Sequence, residues 1–351
     1  MKTWSKLLIG CGGALAGAAA AAYFGMGYAI YRKMAVVRGD CEEHMANRPD
    51  HFVDIGGYGW PPLDFSPYYM AHYETVRFPS RQAGLNISGW YVEGKPDAPA
   101  VILVHGGGGC KRAQDILLPA GMLARNGFHV LMIDLRDVGD SDPDDGLSSI
   151  GNDEYLDVLG AFDWLVGEKG FAPGRVGLFA NSLGGPSALY ALCEEPRVPA
   201  LFLQSTFGNL KQVLEEELRR NGYPILLAPA ALIMGRLTAG VNLVARDPIS
   251  AIRKAGNRPV YIVHSRADTR IDVNQSEQLA AAAQAAGVNV TAWFPETGDH
   301  VQTPAWYPEE FEQRIIGFFR EALEQHLQTP ALYPDEFEQR LVGFFRGALG
   351  E

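Results

Sequence analysis

Apolar residues recur along this chain in two alternating patterns. Short runs at 100–105, 129–135, 175–180, 199–204, 258–264 and 289–294 are rich in Val, Ile, Leu and Phe and predict buried strands. Between them, 116–126, 153–168, 186–193 and 276–286 carry apolar residues at helical spacing. In 153–168, for example, Tyr155, Val158, Ala161, Phe162 and Leu165 fall on one face. Two further runs, 72–78 and 85–92, read as an antiparallel hairpin ahead of the first of these strands. Alternation over this length predicts the α/β class: a mostly parallel central sheet flanked by helices on both faces.

The alternation breaks between 204 and 258. Residues 209–251 are rich in Leu, Ala and Gly, interrupted by Glu215, Glu216 and Glu217, and read as a small helical cap. Such an insertion adds packing over the sheet and serves as a lid that shapes an acyl or alcohol pocket. Ahead of the hairpin, 38–70 is polar and proline-rich without a strong period, a connector that wraps onto the catalytic domain and covers one edge of the sheet. At the other end, residues 302–325 recur as 328–351 with most positions identical, including Glu-Phe-Glu-Gln-Arg and Gly-Phe-Phe-Arg. Two copies are too few for a solenoid, so a terminal helix is duplicated. The second copy's Phe337, Leu341, Phe344 and Phe345 then need an apolar cover, from self-association, another partner or a membrane surface.

The N-terminus carries Lys2 and Lys6, then an almost uncharged run over 7–31 closed by Arg32 and Lys33. About 20 apolar residues in a helix cover the roughly 30 Å hydrocarbon layer, so the run predicts a transmembrane helix. Small residues around Ala20 and Ala22 also fit a signal-peptidase site, which would release a secreted or periplasmic enzyme. The run continues past them through Phe24, Met26 and Ile30, which favours an anchor. A short basic N-terminus usually stays in the cytoplasm, placing the catalytic domain outside. The expected division is an anchor over 1–33, a connector over 34–71, a catalytic domain over 72–325 and the duplicated helix over 326–351.

A formal charge of -11 argues against nucleic acid as a partner. The four cysteines, 11, 41, 110 and 193, show no CxxC pair of a zinc site. Cys110 and Cys193 read as small core or loop residues, with a structural disulfide between two of the four left open.

The candidate chemistry centres on Ala180-Asn181-Ser182-Leu183-Gly184-Gly185, between a predicted strand and a predicted helix. A nucleophilic serine on a tight strand-to-helix turn needs small residues two before and two after it, and Ala180 and Gly184 supply them. The Leu183 N–H then donates to a developing oxyanion at the start of the helix. A second donor comes from the glycine loop Gly106-Gly107-Gly108-Gly109, with Gly107 the first choice and Gly108 the second. One such donor is worth about 3 kcal/mol of transition-state stabilisation. The loop lacks the Gly-Lys-Ser/Thr ending of a phosphate loop and the spacing of a dinucleotide turn.

A serine hydroxyl needs a base, and of eight histidines His300, in the loop after the last strand, is placed to reach the elbow. Asp268 follows the preceding strand and is the expected acid, with Asp272 as fallback. Asp299 and His105 read as structural. No cofactor or metal is required.

Glycine loop, serine elbow, aspartate and histidine follow one another in the order of the α/β-hydrolase superfamily, which the chain resembles over about 73–323. Within it the chain looks like membrane-anchored bacterial hydrolases related to the serine-peptidase and dienelactone-hydrolase-like branches. Asp134-Leu135-Arg136-Asp137-Val138-Gly139-Asp140-Ser141 resembles the superfamily's Asp-x-Arg-Gly-x-Gly-x-Ser loop, with Asp137 in place of glycine, a departure expected to change loop shape rather than activity. The resemblance implies the α/β-hydrolase fold and a carboxylesterase or lipase-like action on a small-molecule ester. A peptidase of the same fold and an inactive binding or scaffold module are the alternatives.

Overall fold

β3 (Ala100–Val104) reads Ala-Val-Ile-Leu-Val, and every one of its side chains is buried. A strand pleats, so Ala100, Ile102 and Val104 join an apolar cluster on one face while Val101 and Leu103 join another on the opposite face. A strand buried on both faces belongs at the centre of a parallel sheet. The computed structural model, which describes residues 2–37, 41, 45–54, 59–240 and 242–324, places it there.

Among these residues eight strands form one sheet in the order β1-β2-β4-β3-β5-β6-β7-β8. β1 (Glu74–Pro79) and β2 (Asn86–Val92) form the antiparallel hairpin expected ahead of β3, and β2 pairs antiparallel with β4 (His129–Ile133). The remaining neighbours, through β5 (Val176–Asn181), β6 (Leu201–Gln204), β7 (Val260–Val263) and β8 (Val290–Trp293), pair parallel. Their C-terminal ends therefore share one edge, where loops from several strands converge on a single site.

One face is covered by α3 (Tyr155–Gly167), α4 (Gly184–Glu194) and α8 (Asn274–Ala285), the other by α2 (Gln114–Arg125) and α10 (Pro308–Glu324). In α10, Phe311, Ile315, Phe319 and Leu323 repeat every four residues and are buried as one stripe beneath Phe179, Phe202 and Tyr261. Phe202 and Tyr261 stack with centroids 4.6 Å apart. Burying each of these side chains contributes about 2 kcal/mol, and Phe319→Ala would cost about 3–5 kcal/mol. The short α9 (Thr303–Trp306) and α10 are the first copy of the duplicated segment. The second copy, with Phe337, Leu341, Phe344 and Phe345, lies outside the described residues.

Among the described residues the connector adds no strand to a sheet edge. Phe52, Phe65, Tyr68 and Met70 instead enter the cluster that joins α2 to β2, because their aromatic and apolar side chains are buried there beside Trp90. The inserted segment is helical as expected, with α5 (Leu210–Arg220), α6 (Ala228–Ala239) and α7 (Pro248–Ile252).

The N-terminal expectation is met in part. A helix, α1 (Lys2–Ala35), does form. Yet among the described residues no helix is long and apolar enough to cross a membrane. The later turns of α1 pack on the cap. Tyr23 Oη donates to the Leu226 carbonyl at 2.9 Å, Gly27 lies against Ala230 and Tyr31 against Gly235, so α1 and α6 run in the same direction. Tyr31 and Ala35 are buried there.

Candidate active site

β5 delivers Ser182 to the C-terminal edge of the sheet, and α4 begins two residues later. Ser182 sits at φ 48°, a left-handed conformation that a non-glycine residue adopts at a cost of about 1–3 kcal/mol. The turn is held by the Ser182 N–H donating to the Gln204 carbonyl at 2.8 Å. Thr206 Oγ1 also donates to the Ser182 carbonyl at 3.0 Å. The small residues expected around the elbow are required by contact. A Cβ on Gly184 would lie 2.4 Å from the His105 carbonyl oxygen, and one on Gly106 would lie 2.9 Å from the Ser182 Cβ.

The structure brings Ser182, His300 and Asp268 into one hydrogen-bonded line. His300 Nε2 is 2.8 Å from Ser182 Oγ, and its Nδ1–H donates to Asp268 Oδ2 at 2.7 Å. A carboxylate can only accept, so Nδ1 carries the ring proton and leaves the Nε2 lone pair to the serine hydroxyl. Asp268 Oδ1 accepts from the Arg270 and Ile271 N–H groups at 2.8 and 2.9 Å, which orients the carboxylate. Burial alone would raise the Asp268 carboxyl, but the imidazoles of His264 and His300 outweigh it and hold the group well below the usual carboxylate range. The Asp268 side chain is fully buried, whereas that of His300 is 20% exposed and reachable by a substrate.

Gly107 and Leu183 are brought together at the mouth of the elbow. A Cβ on Gly107 would stand 3.2 Å from the Leu183 side chain. Leu183 caps α4, so its N–H has no carbonyl one turn back and is free to face a ligand. Above them, Leu183 and Leu147 join Phe207, Leu210, Leu214, Leu227 and Ile271 in an apolar cluster that also takes in Tyr31 of α1. The cap therefore roofs the site with hydrocarbon.

The other sequence candidates fall outside the line. Asp272 Oδ1 accepts from the Asn274 N–H at 2.9 Å at the start of α8. Asp299 Oδ1 takes the N–H groups of Thr269 and His300 at 2.7 and 2.8 Å, so it shapes the histidine loop. His105 is buried, donating from Nδ1 to the Gly106 carbonyl and accepting the Leu135 N–H at Nε2. Burial lowers its basicity.

Asp137, where the superfamily loop has glycine, adopts φ 63° and so keeps the backbone conformation a glycine would take. Its Oδ1 accepts from the Asp144 and Gly146 N–H groups at 2.7 and 3.0 Å. Sequence reasoning missed the supports beneath the site. Lys111, fully buried, pairs with Asp134 and Asp140 directly after the glycine loop. Cys110, read as a small core or loop residue with a disulfide left open, is disulfide-bonded to Cys41, while Cys193 is free. A fully buried lysine beside an aspartate leaves no pattern in a linear sequence; the one available signal was its position two residues after Gly109. Among the described residues no cluster of three or more His, Cys, Asp or Glu is placed to hold a metal.

Comparison with known proteins agrees with this fold. The model of the alpha/beta hydrolase fold family matches residues 99–224. The lysophosphatidylserine lipase of Macaca fascicularis is 28% identical over 208 residues, 55% of this chain and 48% of that protein. A thiohydrolase of Aspergillus aculeatus is 24% identical over 179 residues, 50% of this chain and 55% of that protein. The chain thus spans about half the length of these curated relatives. Among solved structures, an esterase of Pyrococcus furiosus superposes with a TM-score of 0.59 at 21% identity, covering 75% of this chain and 97% of that one. An acylaminoacyl peptidase of Pyrococcus horikoshii gives 0.54 at 18%, covering 72% and 42%. At these identities the structures show the fold alone. Taken together, the sheet order, the strained serine turn and the matched family model give this chain the α/β-hydrolase fold and support its membership of the α/β-hydrolase superfamily.

Proposed function

We propose that the protein is a serine hydrolase that cleaves a carboxylic ester or a related acyl bond through an acyl-enzyme. The observation that carries this reading is the unbroken line from Ser182 Oγ through His300 to the buried Asp268 carboxylate. Ser182 Oγ attacks the acyl carbon while His300 Nε2 takes its proton. The Gly107 and Leu183 N–H groups receive the developing oxyanion. His300 then gives the proton to the leaving alkoxide. Water, deprotonated by the same nitrogen, attacks the acyl-enzyme, releases the carboxylate and restores Ser182. Asp268 stabilises the imidazolium in both steps.

The apolar cluster under the cap supports an acyl chain or another hydrocarbon group as the bound part of the substrate. The names of the relatives, a lipase, a thiohydrolase and an esterase, support ester or thioester cleavage. Exposed Leu15, Phe24 and Met26 of α1, with Leu226 and Leu237 of the cap, support contact with a lipid surface from which such a substrate would be drawn. The Cys41–Cys110 disulfide supports a catalytic domain working outside the reducing cytoplasm.

The test uses the full chain. A fluorophosphonate probe should label the wild type, Ser182→Ala should abolish the label, and p-nitrophenyl esters of increasing chain length should be hydrolysed. Absence of both labelling and turnover in folded wild-type protein overturns the reading.

A further inference from the structure

The triad acid is shared. His264, the residue after β7, is fully buried, and its Nε2 lies 2.9 Å from Asp268 Oδ2, the same oxygen that accepts from His300 Nδ1 at 2.7 Å. We propose that His264 is a positioning residue for catalysis, a second imidazole that fixes the Asp268 carboxylate and limits how strongly that carboxylate draws on His300. This rests on the serine-hydrolase reading above.

The protonation of His264 at Nε2 follows from its neighbours. The aligned hydrogen bond from that nitrogen runs to the Ile271 carbonyl at 3.0 Å, with Asp268 Oδ2 at ion-pair distance beside it. Both neighbours only accept, so Nε2 must bear a hydrogen. The other nitrogen, Nδ1, is 2.7 Å from Ser276 Oγ on α8, and Ser276 Oγ lies 2.9 Å from the Thr206 carbonyl. Thr206 Oγ1 in turn donates to the Ser182 carbonyl. A single polar path therefore joins acid to nucleophile through the interior: Asp268, His264, Ser276, Thr206, Ser182. Because the ring is held at both ends and excluded from water, it can neither swing away nor be replaced by solvent.

The consequence is electrostatic. Asp268 Oδ1 is taken by two backbone N–H groups, and Oδ2 accepts from His300 Nδ1 with the polar edge of the His264 ring 2.9 Å away. A polar N–H held beside a carboxylate stabilises its charge and weakens its pull on any other donor. Taking His264 away concentrates that charge on His300 and makes the imidazolium easier to form. A ring that merely filled space would not do this. The remaining charged groups nearby are already engaged. Asp299 is held by Thr269 and the His300 N–H, Asp272 by the Asn274 N–H, and on α8 Glu277 pairs with Arg266. From the cap, Glu216 accepts from Gln275 and Arg220 donates to the Arg270 carbonyl. Gln204, Ser205 and Thr206 at the end of β6 are uncharged.

The experiment compares the full-length wild type with His264→Phe, which keeps a ring but loses both nitrogens, and His264→Gln, whose amide N–H can stand where Nε2 stood. Two readouts are taken: kcat/KM for ester hydrolysis against pH, and the NMR titration of the His300 ring in resting protein, which needs no turnover. In His264→Phe the acid limb and the midpoint of the ring titration should move up by about half to one pH unit. Plateau kcat should fall about tenfold, with KM within about twofold. His264→Gln should return both toward the wild type. An unmoved His300 titration in folded His264→Phe overturns the proposal, even if kcat falls, since lost packing alone would lower kcat. Should His264→Phe fail to fold, Ser276→Ala, which frees Nδ1, carries the test with a smaller shift of the same sign. A wild type that titrates as expected yet neither hydrolyses esters nor takes the fluorophosphonate would refute the hydrolase reading instead.

Discussion

Val301 donates its N–H to Ser205 Oγ at 3.2 Å, and both residues are held in the left-handed backbone region, at φ 56° and 49°. Ser182 shares this conformation at the same end of the sheet. A β-branched residue pays heavily for this conformation, so Val301 keeps it only because its surroundings impose it. Gln204 Nε2 donates to the Val301 carbonyl at 2.8 Å, completing a two-sided clamp on the residue that follows His300. The strain is thus located where the imidazole must be aimed at the hydroxyl.

Ser205→Ala removes one jaw of that clamp without touching the triad. The loop gains freedom, and fewer molecules present Nε2 to Ser182 at any moment. We expect kcat to fall about tenfold, about 1.4 kcal/mol of barrier, while KM stays nearly constant because the pocket is unchanged. Steady-state ester hydrolysis checks this. An unchanged kcat would mean that Gln204 alone fixes the loop.

These supports mark the boundary of what a linear reading can reach. The strands were legible because Val101, Ile102 and Leu103, like Leu201, Phe202 and Leu203, are too apolar to stand anywhere but in a two-sided core. Ser182, Asp268 and His300 were legible because each follows a strand that ends at the same edge. His264, Ser205 and Gln204 were not, since a polar residue ending an apolar run has many uses and its partners lie far along the chain. The N-terminal helix was legible as a helix, but its docking on the cap was not, since the tyrosines that hold it there read equally well as membrane residues.

Lys111 is the support most exposed to a single change. Its ammonium and the Asp134 carboxylate are both fully buried, so removing the lysine leaves the carboxylate without its counter-ion, held only by the backbone N–H groups of residues 111 and 140. Lys111→Met should destabilise the fold by about 3–5 kcal/mol, read as a lowered urea midpoint. Adding Asp134→Asn should recover a large part of this, because the orphaned charge is then gone. If the single and double variants are equally unstable, the buried pair is not what holds this loop.

The disulfide gives a prediction of a different kind. Cys41 and Cys110 are 69 residues apart in sequence, so their bond removes much of the freedom of the unfolded chain, and it fastens the connector beside Gly109. Cys41→Ser should lower stability by about 2–4 kcal/mol, and a dithiol reductant should have the same effect on the wild type but none on the variant. Unfolding curves with and without reductant test both halves. A wild type indifferent to reductant would show that the bond does not form in solution.

Glu195, just past the end of α4, offers a pH test of how the elbow helix is anchored. Hydrogen bonds from Arg197, opposed by burial and reinforced by Arg81, bring its carboxyl down to about 2 from an ordinary value of 4.5. Arg81 also grips Asp163 of α3, so the carboxylate ties α4 to both the hairpin turn and the neighbouring helix. Since the folded state favours the ionised form, the contribution is complete above about pH 4.5, declines as pH falls, and is gone below about 2. Arg197 is 52% exposed, and solvent screening reduces the linkage to about 1 kcal/mol. Glu195→Gln should therefore be about 1 kcal/mol less stable than the wild type at pH 7, with the gap closing between pH 4.5 and 2. Urea unfolding of both proteins across that range decides the matter: a gap that stays constant with pH would assign the loss to altered packing rather than to the charge.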